Sequence, residues 1–133
     1  MNIAIFDSGI GGLSVLYQAK RMLPEAHFLY YADEDHVPYG EKTREQILTY
    51  TDEAVRFLID RGADAIVLAC NTATSAAAAT LRDRYPLPII GMEPAVKLAL
   101  NQDDTHRVLV AATPITIRGN NCLLYTSDAA DES

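Results

Sequence analysis

The sequence predicts an α/β fold, an open parallel sheet with helices on both faces. Three observations carry this expectation. Apolar runs of strand length alternate with amphipathic or alanine-rich stretches of helix length, and that alternation is what parallel strands with crossover helices require. The run Ala65 to Ala69 is apolar without a break, as a strand buried on both faces reads, and the alanine-rich Ala76 to Leu81 behind it prefers helix. Glycine, proline and capping residues fall between these runs, where turns are needed.

Taken in order, Ile3 to Phe6 is the first strand; it ends at Asp7, and Ser8-Gly9-Ile10-Gly11-Gly12 is a turn. Leu13, Leu16, Ala19 and Leu23 recur at helical spacing, and Pro24 stops that helix. Phe28 to Ala32 is a second strand, followed by Asp33-Glu34-Asp35 and a loop, His36-Val37-Pro38-Tyr39-Gly40, marked by its proline and glycine. Thr43 with Gln46 forms a capping box, Ile47, Thr51, Ala54 and Leu58 make the stripe behind it, and Gly62 closes the helix. The central strand to Ala69 leads into a helix from about Thr72 to Tyr85. Pro88 to Gly91 is a fourth strand, Pro94 to Leu100 a helix with proline in its first turn, and Val108 to Ala112 a fifth strand ending at Thr113-Pro114. Right-handed crossovers make this a flavodoxin-like lobe over residues 1–118. Residues 119–133 continue no periodicity, and their end is small and acidic, so they are expected to be a poorly ordered or foreign tail.

Composition sets bounds. A chain of 133 residues that is 49% hydrophobic suits one domain with a real core. A net charge of -7 argues against non-specific nucleic-acid binding, which needs a basic surface. Asp128, Asp131 and Glu132 in the tail supply three of those seven charges. No basic start followed by an apolar stretch and no 18-residue apolar run occurs, so no membrane association and a cytoplasmic location are expected. Cys70 and Cys122 make no disulfide framework.

Parallel strands present their carboxyl ends together, so Asp7-Ser8, the loop through Tyr39-Gly40, and Cys70-Asn71-Thr72 share one edge. In open α/β sheets ligands bind there. Each group also has a structural explanation: Asp7, Ser8, Asn71 and Thr72 are good helix caps, Tyr39 packs, and a lone buried cysteine is often a small hydrophobe. Caps alone do not explain why every polar group falls on one edge. A second chemistry competes for the glycine turn. Gly9-Ile10-Gly11-Gly12-Leu13-Ser14 follows a strand and opens a helix, with Asp33 about twenty residues on, as a dinucleotide site would have it. The third glycine of that fingerprint is absent, because Ser14 stands in its place.

Four blocks resemble the glutamate racemase family of the aspartate/glutamate racemases: Asp7-Ser8-Gly9-Ile10-Gly11-Gly12-Leu13, Val37-Pro38-Tyr39-Gly40-Glu41-Lys42, Ala69-Cys70-Asn71-Thr72-Ala73 and Ile90-Gly91-Met92-Glu93-Pro94. Their order and spacing match from Met1 to about Arg118. The resemblance implies cofactor-independent interconversion of L- and D-glutamate, supplying D-glutamate for peptidoglycan, by two similar α/β lobes with the site between them. It implies that Cys70 is one of two catalytic cysteines, with Asp7 assisting, and that Asp7, Ser8, Pro38, Tyr39, Gly40, Asn71 and Thr72 bind the substrate. No cofactor and no metal are implied. The family's second cysteine, in a Cys-Thr-His block, has no counterpart at Cys122, so the chain is expected to be a fragment carrying half of the proton-transfer apparatus, inactive alone. Glu34 stands where the family commonly has a small hydroxyl residue. A homodimer of the full-length protein stays open, as do aspartate in place of glutamate and a related thiol-dependent isomerase or decarboxylase.

Racemisation removes a weakly acidic α-proton from one face and returns a proton to the other, which two opposed thiols do most simply. A free thiol is only a few per cent thiolate at neutral pH, and bringing such a group to half-ionisation takes roughly 2 kcal/mol. A helix N-terminus contributes typically ~0.3–1 kcal/mol. Hydroxyl donors at Ser8 or Thr72 are therefore expected to add to it. Backbone amides at Gly9 to Gly12 and Asn71 to Ala73 can hold carboxylates without a basic side chain. Asp7 fits as a proton relay or a partner of the substrate ammonium.

Overall fold

Strand β1, Asn2–Asp7, is the axis of the molecule in the computed structural model, which describes residues 1–92 and 113–118. On one side it pairs with β2, His27–Ala32, and on the other with β3, Ala65–Leu68; β4, Ile89–Gly91, lies outside β3. All pairs are parallel, in the order β2-β1-β3-β4. Ile5 faces Tyr30 on one neighbour and Val67 on the other. Ala4, Ile5 and Phe6 are fully buried, as a central strand covered on both faces must be.

Three helices connect the strands: α1, Leu13–Met22; α2, Arg44–Asp60; and α3, Asn71–Arg84. The chain steps from β1 outward to β2 through α1, then crosses back to β3 through α2 and on to β4 through α3. Right-handed crossovers in opposite directions put α1 on one face and α2 and α3 on the other. The main core lies under α2 and α3, where Phe6, Ile66 and Leu68 meet Ile47, Val55 and Leu81. Ala73, Ala76, Ala77 and Ala78 are buried there, and their small side chains let α3 lie close to the sheet.

The α2 expectations are met in detail. Thr43 Oγ1 accepts from Gln46 N at 3.1 Å while Gln46 Oε1 accepts from Thr43 N at 2.9 Å. Ile47, Thr51, Ala54 and Leu58 are buried, and Gly62 has φ +93°, a left-handed turn natural to glycine. A polar pin joins α2 to the end of α3: the buried Asp52 carboxylate accepts from Arg56 at 2.7 Å and from the Tyr85 hydroxyl at 2.7 Å, with Arg84 at 3.4 Å. Burial alone would raise the Asp52 carboxyl, but the hydrogen bonds from Tyr85 and Arg56 outweigh it and hold the group below the ordinary carboxylate range.

Several elements differ from expectation. The α1 stripe is not buried: Leu13 is 46% exposed and Leu23 50%, and no α1 residue is fully buried among the described residues. The reason is position, since α1 packs beside β2, the edge strand, rather than over the sheet centre. The loop after β2 contains two single 3-10 turns, Glu34–His36 and Tyr39–Glu41. Pro114 opens a short helix, α4, Pro114–Arg118, with proline at its first position. The expected helix Pro94 to Leu100, the strand Val108 to Ala112, and the tail with Cys122 lie outside the described residues. Among the described residues no helix is long and apolar enough to cross a membrane.

Candidate active site

The carboxyl ends of β1 and β3 are neighbours, and the helices that follow them leave for opposite faces. That reversal is the switch point of an open α/β sheet, where a crevice forms. The strand ends are laced together there, with Ala69 N donating to Phe6 O at 2.7 Å and Asp33 N to Asp7 O at 3.0 Å. Asp7, Ser8, Asp33 and Cys70 therefore come to one edge.

Cys70 is the N-cap of α3. Its extended backbone (φ -112°, ψ 120°) ends the strand segment, and its sulfur accepts from Ala73 N at 3.4 Å. The cap expected of Asn71 or Thr72 is thus made by the thiol itself, one residue earlier, because the chain turns into helix directly at Asn71. The Cys70 thiol also donates to Ser8 Oγ at 3.6 Å, a bond that crosses the switch point from β3 to β1. With 8% of its surface exposed, Cys70 lies just beneath the rim, and the half-buried Ser8 stands beside it. Thr74 supports this turn by donating to Cys70 O at 2.9 Å and accepting from Met92 N at 3.0 Å.

Asp7 is 7% exposed, and its two carboxylate oxygens accept from Ser8 N at 2.8 Å and Gly12 N at 2.7 Å. It holds the glycine turn in shape. Tyr30 braces the same turn by donating to Gly9 O at 2.9 Å. Gly12 must be glycine here: a Cβ would lie 3.0 Å from Asp7 Cβ, 3.0 Å from Tyr30 Oη and 3.2 Å from Ala69 Cβ.

The loop 36–41 brings Tyr39 and Gly40 in from the β2 side. Tyr39 is 3% exposed and donates to Asp33 Oδ2 at 2.5 Å. Burial, the Asp33 hydrogen bond and charge, and the neighbouring Cys70 all push its hydroxyl far above the ordinary tyrosine range, so it stays a donor. Its hydroxyl is thereby committed to Asp33, and what the loop offers a ligand lies in Pro38, which is exposed, and Gly40. Asn71 is exposed at the first turn of α3. Thr72 is buried and turned away from Cys70: its hydroxyl pairs with Thr113 Oγ1 at 2.8 Å and Thr116 Oγ1 at 3.5 Å. Of the two hydroxyls expected beside the thiol, only Ser8 makes a hydrogen bond to it among the described residues.

Three residues in this region went unremarked in the sequence as site residues. Thr113 and Thr116 gather with Thr72 into a cluster of hydroxyls near Gly40, whose Cβ position lies 3.0 Å from Thr113 Cγ2. Thr113 also accepts from Thr116 N at 3.4 Å, so Thr-Pro at a helix start was the available signal. Asp33, weighed only as a ribose partner, has its carboxylate engaged by Tyr39 and by His36 Nδ1 at 2.7 Å. Among the described residues no three His, Cys, Asp or Glu side chains are grouped to hold a metal. Chemically, the edge presents a thiol in contact with a hydroxyl and a backbone N–H, flanked by helix-start amides that can hold carboxylate oxygens.

Residues 14–120 match the Asp/Glu/Hydantoin racemase family. A glutamate racemase of Lachnospira eligens is 60% identical over 121 residues, covering 90% of this chain and 46% of that protein. One of Campylobacter curvus is 58% identical over 125 residues, covering 90% of this chain and 47% of that protein. Among solved structures, Escherichia coli glutamate racemase in complex with L-glutamate and the activator UDP-MurNAc-ala superimposes with a TM-score of 0.87 at 32% identity, covering 98% of this chain and 50% of that one. Glutamate racemase from Aquifex pyrophilus gives 0.84 at 36% identity, over 98% and 51%. The chain thus spans about half the length of the relatives it matches.

Proposed function

Because this chain belongs to the Asp/Glu/hydantoin racemase family, we propose that it is the N-terminal lobe of a glutamate racemase and carries one of the enzyme's two proton-transferring thiols. On this reading residues 1–118 form one α/β lobe, residues 119–133 are no part of it, and a second lobe supplies the opposing cysteine. The reaction interconverts L- and D-glutamate in the cytoplasm, for peptidoglycan precursors, and two thiols perform it without a cofactor.

The observation that carries the reading is the Cys70–Ser8 contact at the switch point, with Ala73 N–H aimed at the same sulfur. On giving up its proton Cys70 keeps the Ala73 N–H, and the Ser8 hydroxyl turns from acceptor to donor toward the sulfur. It then takes the α-proton from one face of the substrate, and the opposing thiol returns a proton to the other. When the thiolate is reprotonated, Ser8 reverts to acceptor. Asp7 holds the glycine turn in shape beside the sulfur, and on this reading its carboxylate is the partner of the substrate ammonium. Helix-start amides at Asn71 and Thr72 and the backbone of the loop at Pro38, Tyr39 and Gly40 receive the carboxylates.

The substrate is tested by following optical rotation with the full-length protein on L-glutamate, D-glutamate, both enantiomers of aspartate, and an aryl-malonate. Loss of rotation with either glutamate enantiomer and not with aspartate is the expected result. Racemisation of aspartate alone, or decarboxylation of the malonate, would replace glutamate racemisation with the corresponding related activity. The names of the relatives favour glutamate.

A further inference from the structure

The segment between β2 and α2 carries Pro38, Tyr39 and Gly40, yet it has no strand to hold it. What fixes it is one buried carboxylate. Asp33, 5% exposed, follows β2 directly and is tied by its own N–H to Asp7 O at 3.0 Å. Its carboxylate receives the Tyr39 hydroxyl at 2.5 Å and His36 Nδ1 at 2.7 and 2.9 Å. The two donors leave from either side of Val37-Pro38, so a single acceptor clamps both ends of the exposed Pro38 turn. Rings complete the clamp: His36 stacks on Tyr50 of α2 at 3.7 Å between centroids, and Tyr39 lies 6.3 Å from Phe6 and 6.4 Å from Tyr50.

A buried carboxylate is costly unless its oxygens are bonded. Asp33 has no Lys or Arg within salt-bridge distance among the described residues, and both side chains that bond it belong to the loop. We propose that Asp33 is a positioning residue that fixes the Pro38-Tyr39-Gly40 loop against the reactive edge by holding Tyr39 and His36 together. The proposal rests on the racemase reading for what the loop positions, and on geometry alone for the clamp. Tyr39 then acts as a strut, since a hydroxyl given to Asp33 is not offered to the substrate, and the binding groups of the loop are the backbone around Gly40.

Steady-state kinetics and hydrogen exchange of the 36–42 peptide, both in the full-length protein, test this. Asp33→Ala should raise KM for glutamate about tenfold or more while kcat changes less than about threefold, because ground-state and transition-state binding are lost together. Exchange of the 36–42 peptide should accelerate in the same variant. Asp33→Asn keeps an acceptor for Tyr39 and should recover most of KM, and Tyr39→Phe should fall between wild type and Asp33→Ala. Unchanged KM and exchange in Asp33→Ala would overturn the proposal, as would a fall in kcat at constant KM, which marks direct chemistry. Should Asp33→Ala not fold, Tyr39→Phe carries the same two measurements, and wild-type values of both in that variant would overturn the proposal equally. A wild-type protein inactive on glutamate would refute the racemase reading, while the exchange rates would still decide the clamp.

Discussion

Helices α2 and α3 begin in opposite ways. At α2, Thr43 and Gln46 satisfy each other's backbone N–H groups at 3.1 and 2.9 Å, a complete local cap. At α3 the cap is a sulfur, 3.4 Å from Ala73 N, and the same sulfur contacts Ser8 across the sheet. Serine, threonine, aspartate and asparagine are the preferred caps. The first helix start is a complete local cap, and the second gives up cap strength and puts a sulfur at the switch point. Sites that break a local rule are where function is expected.

The largest effect separates the two starts outright. Cys70→Ser should lower racemisation by the full-length protein at least about a hundredfold, the scale of losing a positioned base. Its unfolding free energy should stay within about 1 kcal/mol of wild type, on the stabilising side, because serine is a good N-cap. Gly91→Ala comes next. A Cβ there would sit 2.4 Å from Thr74 Cγ2, so Thr74 must shift and its bond to Cys70 O must yield. Denaturant unfolding should show a loss of about 1–3 kcal/mol, the usual cost of overpacking, accompanied by lower activity. Thr43→Ala should cost about 1 kcal/mol and leave kcat unchanged, the mirror image of Cys70→Ser. The smallest effect lies where the middle of α2 meets the far end of α3. Asp52 has a lowered folded-state pKa, so its stabilisation is present above its unfolded value of about 4 and is lost as pH falls through the folded value. Asp52→Asn should therefore be less stable than wild type at pH 7, with the gap closing on acidification in pH-dependent unfolding.

Much of this was legible because it is local. The capping box at Thr43, the turn at Gly62 and the unbroken run into Cys70 each state their structure within a few residues. Cys70, Ser8 and Asp7 could be placed on one edge because parallel strands leave no other arrangement. What stayed hidden depends on distant packing. Leu13 and Leu23 have the spacing of a buried stripe, but only the strand order reveals that α1 sits at the edge beside β2. Thr72 looked like a partner for the thiol, and it faces Thr113 because α4 approaches from more than forty residues away. Asp33, His36 and Tyr39 follow no period of helix or strand, so their common hydrogen-bond centre emerges only from the path of the loop.

Whether the sulfur at the start of α3 moves the substrate's α-proton can be read in deuterium oxide. Each enantiomer of glutamate is incubated with the full-length protein and with its Cys70→Ser variant, and rotation and α-deuterium are followed together. Wild type should convert both enantiomers with deuterium at the α-carbon of the product, and the variant should not racemise either. Racemisation by Cys70→Ser at the wild-type rate would contradict that role for the sulfur.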